Sequence, residues 1–272
     1  MRKLVNTKLF ILGALLICAT VQLEAKDVYV STAGSTSAAG TEADPVNIAG
    51  FMTIFEAHDS GKGATFNAYF EPGEYILPKT LTLTAAQGNV LFVLDKKPGT
   101  TGDVIFTPAN TTANNSTGVY RSSASDMGCN ITFRNMIFDG FRGHATSSDA
   151  TYRIFGISHN GNVLTVDHVT VRNSTAGLNF FVLRATENGA GANFYIFISE
   201  INIYNSSIIN NQKSANYAIC DVINGNMRVY NSTFSGNAVT YVTYADNGNP
   251  GGLNNKSRGY IAFVNNTVYN SG

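Results

Sequence analysis

INIYNSSIIN (residues 201–210) is followed by a near copy, MRVYNSTFSG (227–236), and the pair decides how the chain folds. Three further segments fit the same frame: ITFRNMIFDG (131–140), LTVDHVTVRN (164–173) and IAFVNNTVYN (261–270). The first and third positions are always apolar: Ile131 and Phe133, Leu164 and Val166, Ile201 and Ile203, Met227 and Val229, Ile261 and Phe263. Side chains alternate along a strand with period two, so each pair lies on one face of a short strand. The eighth position is apolar again, as Phe138, Val171, Ile208, Phe234 or Val268. A second short strand therefore faces the same interior after a sharp bend.

Between the two strands stands Asn135, His168, Asn205, Asn231 or Asn265. Asn tolerates the left-handed backbone region, and its amide both donates and accepts. If copies stack at the ~4.8 Å strand spacing, each corner amide reaches the ones above and below. The expectation is an inward asparagine ladder that satisfies a buried corner. His168 then reads as a buried ladder imidazole bonded to Asn135 and Asn205, or alternatively as a poised base. The Asn-x-Ser/Thr triplets at 205 and 231 are by-products of the repeat, and inward amides would block glycan attachment there.

The copies begin 33, 37, 26 and 34 residues apart, more than two short strands consume. The remainder supplies a third strand per turn: GVYRSS (118–123), TYRIFGIS (151–158), LNFFVLR (178–184), NYAICDVI (216–223) and VTYVTY (239–244). Three strands and three corners per turn make an all-β, right-handed parallel β-helix with insertions in its loops. A left-handed β-helix would need stricter, shorter repeats, and a propeller would show hairpin turns between its strands.

Composition agrees. The 272 residues carry 44% hydrophobic and 13% charged side chains, enough for a core and too few charges for a disordered tail. The formal charge is zero and no basic run is interleaved with aromatics, which excludes a phosphate-tracking surface and nucleic acid as a partner. At the start, Arg2, Lys3 and Lys8 precede the apolar run Leu9 to Ile17, with Ala25 as a cleavage point. Residues 1–25 read as a signal peptide, the run being too short for a membrane span. Lipidation at Cys18 is the alternative. The expected protein is secreted or held in the cell envelope, and is not an integral membrane protein once the leader is removed. Cys129 and Cys220 lie in or beside apolar segments and read as small buried hydrophobes, so the fold is held by its core.

Residues 26–272 form one domain. FMTIFEAHDS (51–60) is amphipathic, with Phe51, Ile54, Phe55 and Ala57 to one side, and suits a helix capping the first coil. The opening VYVSTAGSTSAAGTEADPVNIAGFMTIFEA and the EPGEY turn that follows resemble the entry segment of the pectin-lyase-like superfamily. Many members carry an Asp where Ser35 or Thr36 stands here. The resemblance covers nearly the whole mature chain and implies the β-helix fold and a polysaccharide or cell-surface glycan as partner, without naming a reaction.

Outward positions supply the site candidates. Arg134 should stand beside Asp167 and Asp139 beside Arg172, either as a small charged cleft that neutralises a uronate and moves a proton, or as surface ion pairs. Tyr204 and Tyr230 should stack on one outer face, with Tyr217 and Tyr241 on the next, where rings meet sugar faces or simply brace adjacent strands. A lyase or hydrolase of uronate-containing glycans is the alternative to binding or a surface-structural role. Only a lyase would bring in calcium, with Asp139, Asp167 and Asp221 as candidate ligands; no other cofactor is indicated. The loop FRGHATSSD (141–149), with Arg142, His144 and Asp149, is the best single loop for a catalytic group. The chain stops at TVYNSG with no covering segment, so an uncapped or truncated solenoid that self-associates through its C-terminal coil is a further reading.

Overall fold

The computed structural model describes residues 25–112, 115–116, 118–122, 128–142, 154–159, 161–176, 181–186, 199–213, 218–238, 241–245 and 259–271. The leader therefore lies outside the described residues. Copies pair in parallel register, Ile131 with Leu164, Leu164 with Ile201, Ile201 with Met227 and Met227 with Ile261. The architecture is a right-handed parallel β-helix of three sheets. The first runs Lys26–Ser35, Thr65–Phe70, Leu91–Lys96, residues 130–134, 163–167, Glu200–Tyr204, 226–230 and Gly259–Val264. The second runs from Gly73–Leu77 and Val104–Pro108 through 137–139 and 169–172 to Ser207–Ile209, Thr233–Ser235 and Thr267–Tyr269. The third joins Leu81–Leu83, Tyr120–Ser122, Phe155–His159, Phe181–Thr186, residues 218–224 and Tyr241–Ala245. An antiparallel pairing of Thr111–Thr112 with Asn115–Ser116 decorates a loop.

The inward rows fill the interior as the alternation requires. Phe133, Val166, Ile203 and Val229 are fully buried, as are Val171, Ile208 and Phe234 of the second sheet. Aromatic rings stack up the axis, Tyr75 on Phe106 at 5.5 Å and Phe106 on Phe138 at 5.6 Å, with Phe155 on Phe181 at 4.8 Å. Such offset stacks add to burial itself. In the last coil Ile261 and Phe263 are only partly buried and Val268 is 44% exposed. Cys129 and Cys220 are buried and not joined in a disulfide, and burial pushes the Cys129 thiol up to about 11.

The first coil is covered by a helix, Ile48–Ala57, that begins three residues before the amphipathic stretch suggested. Asn47 sets that start, because its side chain accepts from the Gly50 amide at 3.0 Å and satisfies an otherwise orphaned donor. The buried face is Gly50, Phe51, Met52 and Phe55; Ala57 is exposed and Ile54 only partly covered. In EPGEY the Tyr75 hydroxyl donates to the carbonyls of Glu71 (2.7 Å) and Val30 (3.2 Å), tying the turn to the first coil.

The corners differ from the expected inward ladder. Asn135, His168, Asn205, Asn231 and Asn265 all adopt left-handed backbone, with φ between 49° and 54°. All five are nevertheless exposed. A left-handed residue between two inward-facing strands throws its own side chain outward, and the next residue is the one brought inside. His168 is therefore no buried ladder imidazole: it is exposed, with Nδ1 2.9 Å from Asp167. Nor are the triplets at 205 and 231 shielded by burial of their asparagines. The outer amides do form a ladder, Asn265 donating to Asn231 at 2.7 Å, Asn231 to Asn205 at 3.4 Å and Asn205 to Asp167 at 2.9 Å.

The buried ladders stand one residue later, at three corners. After the first corner, the Val169, Ser206 and Ser232 amides donate to Ser206 Oγ, Ser232 Oγ and Asn266 Oδ1 of the following coil at 3.2, 3.2 and 2.8 Å. A second left-handed corner, at Gly140, Asn173, Asn210, Gly236 and Asn270, precedes another. There the Phe141, Ser174, Asn211 and Asn237 amides donate to Ser174 Oγ, Asn211 Oδ1, Asn237 Oδ1 and Ser271 Oγ at 2.9–3.2 Å. At the third corner Gly128 and Gly161 are left-handed, and Cys129 donates to Asn162 Oδ1 and Asn162 to Ser199 Oγ. Each ladder pairs a corner N–H that no strand can reach.

Candidate functional site

The outer face of the first sheet carries three rows at right angles to its strands. The row next to the corner reads Tyr29, Tyr69, Asp95, Arg134, Asp167, Tyr204, Tyr230 and Val264, each in register with the next. Strict alternation of the strands holds them on one side, at one rung spacing each.

Polar and aromatic groups converge most densely on the two coils holding Tyr204 and Tyr230. Those rings are half-buried and nearly parallel, 19° apart with centroids at 5.8 Å. The Tyr204 hydroxyl donates to Asn202 Oδ1 at 3.1 Å, which lays the ring back along its own strand. Asn202 Oδ1 also accepts from Arg228 Nη1 at 3.4 Å, and Arg228 pairs with the Glu200 carboxylate. The Arg228 guanidinium, helped by the Asn226 and Asn202 side chains, holds the Glu200 carboxyl below its ordinary value. Desolvation pushes the Tyr204 phenol up. The result is a fixed patch with aromatic carbon, one guanidinium and several hydrogen-bond acceptors.

The six candidate residues divide between two faces. Arg134, Asp167, Tyr204 and Tyr230 share the row just described, whereas Asp139 and Arg172 lie round the corner on the second sheet. Asp139 and Arg172 form an ion pair at 2.7 Å, and Asn173 donates to the same carboxylate at 2.9 Å. Arg134 is exposed and in register with Asp95 on one side and Asp167 on the other. Both carboxylates are engaged elsewhere, Asp95 by the Asn135 amide and Asp167 by Asn205 and His168.

Asp139, Asp167 and Asp221 fall on the second, first and third sheets respectively. Among the described residues no group of three His, Cys, Asp or Glu is placed to hold a metal ion. Of the loop 141–149 only Phe141 and Arg142 are described; His144, Asp149 and also Tyr217 lie outside the described residues, as does the side chain of Tyr241. Among the described residues no helix is long and apolar enough to cross a membrane.

Glu200, Asn202 and Arg228 were not among the candidates. The signal was present: they precede or occupy the second position of the repeat, and the alternation that sends the fourth position outward sends these outward too.

No family model matches the chain, and none of the curated proteins matches it. Among solved structures a rhamnogalacturonan lyase matches with 14% identity and a TM-score of 0.44, over 89% of this chain and 62% of the lyase chain. This chain thus spans less than two thirds of that protein's length. The fold assignment stands on the register of the chain's own strands, a right-handed parallel β-helix.

Proposed function

We propose that this chain is an exported β-helix protein that binds glycan on the outer face of its first sheet. The observation that carries the reading is the half-exposed Tyr204–Tyr230 pair set against the Glu200, Asn202 and Arg228 network. Aromatic rings take the apolar face of a sugar, while fixed acceptors and a guanidinium meet its hydroxyls. Because the polar groups already hold one another in place, little ordering cost is left for binding. The basic, then apolar, then small-residue order of residues 1–25 supports export to the cell envelope or beyond, which N-terminal sequencing of the protein from its host tests.

The central test is retention on immobilised cellulose, xylan, galactomannan and homogalacturonan, with ultraviolet absorbance following any unsaturated product. Retention without product is expected, and Tyr204→Ala with Tyr230→Ala should weaken it by about tenfold or more, one or two lost stacking contacts. Absence of retention on every polymer would sink the reading. Growth of unsaturated product would replace binding by eliminative cleavage.

A further inference from the structure

The same row carries a second tyrosine pair. Tyr29 and Tyr69 are half-buried with centroids 5.3 Å apart, at the opposite end of the row from Tyr204 and Tyr230. Lys97 lies over the Tyr29 ring at 5.7 Å and is itself held by Glu42 at 3.1 Å and Glu71 at 3.3 Å. Between the pairs stand Asp95, Arg134 and Asp167, one per rung. From Tyr29 to Tyr230 the row advances six rungs, ~29 Å at the usual strand spacing. An extended pyranose chain advances by about one such rung per sugar.

The charges of this face also narrow the ligand. Among the described groups on or beside it are six carboxylates, Asp27, Asp95, Asp167, Glu200, Glu42 and Glu71, against three cations, Arg134, Arg228 and Lys97. Arg228 is already paired with Glu200, and Arg134 stands between two acids. A polyanion laid along the row would pass acid more often than base and meet repulsion. The hydroxyls of an uncharged sugar would instead find both acceptors and donors along it.

We propose that the ligand is an uncharged linear glycan lying along the solenoid axis, and that Tyr29 and Tyr69 form a second aromatic subsite for the same chain. This rests on the glycan-binding reading above. Two subsites on one rigid face make the second contact intramolecular, so affinity must depend on ligand length.

The experiment is calorimetric titration with cello-, xylo- and manno-oligosaccharides, from disaccharides to chains of about eight sugars, longer than the ~29 Å row. Oligogalacturonides of matched length serve as the acidic comparison. Affinity for one neutral series should rise about a hundredfold until the chain spans both pairs and then level off. The acidic series should bind more weakly at every length. Y29A/Y69A should abolish the length dependence, bringing long chains down to the affinity that short ones have for the Tyr204–Tyr230 pair, while Y29F/Y69F keeps it. If the double alanine variant loses its cooperative melt, Y29L and Y69L singly take its place. Length-independent binding, full length dependence in Y29A/Y69A, or preference for the acidic series would overturn the inference while Tyr204-dependent binding leaves the reading intact. A wild-type chain that binds no series removes both.

Discussion

At each corner of the solenoid two neighbouring residues divide the work. The left-handed one, such as Asn210 at φ 53°, makes the turn and faces water; the next, such as Asn211, is fully buried and closes the polar account. Asn211 accepts from the Ser174 amide at 2.9 Å and donates to the Val171 carbonyl and Asn237 Oδ1, both at 3.0 Å. Asn211→Leu strands a buried donor and a carbonyl together, so chemical denaturation should show a loss of about 3 kcal/mol. Asn210→Gly, at an exposed position that Gly adopts freely, should change stability by only a few tenths of a kcal/mol. His58 is a different residue-scale liability. It is buried against Phe66 and Phe92 with Nε2 unpaired among the described residues, and burial lowers its pKa from 6.5. The unfolded chain therefore takes up a proton at a pH where the folded chain does not. His58 contributes its full stability above that value, and the contribution drains away as pH falls below it. Thermal melts between about pH 8 and about pH 5 should show His58→Leu with a flatter pH dependence than the parent.

Among the elements, strand Ala218–Tyr230 runs from the third sheet into the first, pairing with Phe181–Thr186 at its start and Glu200–Tyr204 at its end. Gly225 makes the change of sheet at φ 116°. A Cβ there would meet the Ser199 carbonyl oxygen at 2.6 Å and the Leu183 side chain at 2.8 Å. Backbone strain and overlap act together, so Gly225→Ala should cost about 2–4 kcal/mol. Because Arg228 and Tyr230 follow on the same strand, the variant should also lose glycan retention. A melt and a retention assay on one preparation check both, and an unchanged melt would mean that the bend does not depend on the missing side chain. The capping helix shows how far an element can be read from pattern. Phe51 and Phe55 marked its buried face, but the start was set by Asn47, a single polar residue outside the apolar periodicity.

As a whole, the molecule is a stack in which each coil is stabilised by its neighbours. Phe138 sits at a junction, its ring touching Phe106, Phe133, Phe141 and Phe155 at centroid distances of 5.4–5.9 Å. Phe138→Ala should cost about 3–5 kcal/mol, the transfer term plus a cavity that stacked rings cannot collapse to fill. Hydrogen exchange should lose protection first in the coils of Phe106, Phe138 and Val171, with the capping helix retained longer; uniform loss would mean that the stack unfolds as one unit. The five-fold repeat was enough to give the coil, its three strands, the inward rows and the left-handed corners, because period-two alternation and the φ preference of Asn are local properties written residue by residue. Local pattern could not say which corner residue is buried, since Asn205 and Ser206 are both polar and only the direction of the following strand sends one outward and the other in. Nor could it bring Tyr29 and Tyr69 into the row of Arg134, Tyr204 and Tyr230, because the first coils do not carry the repeat and only inter-strand register stacks them onto the same face.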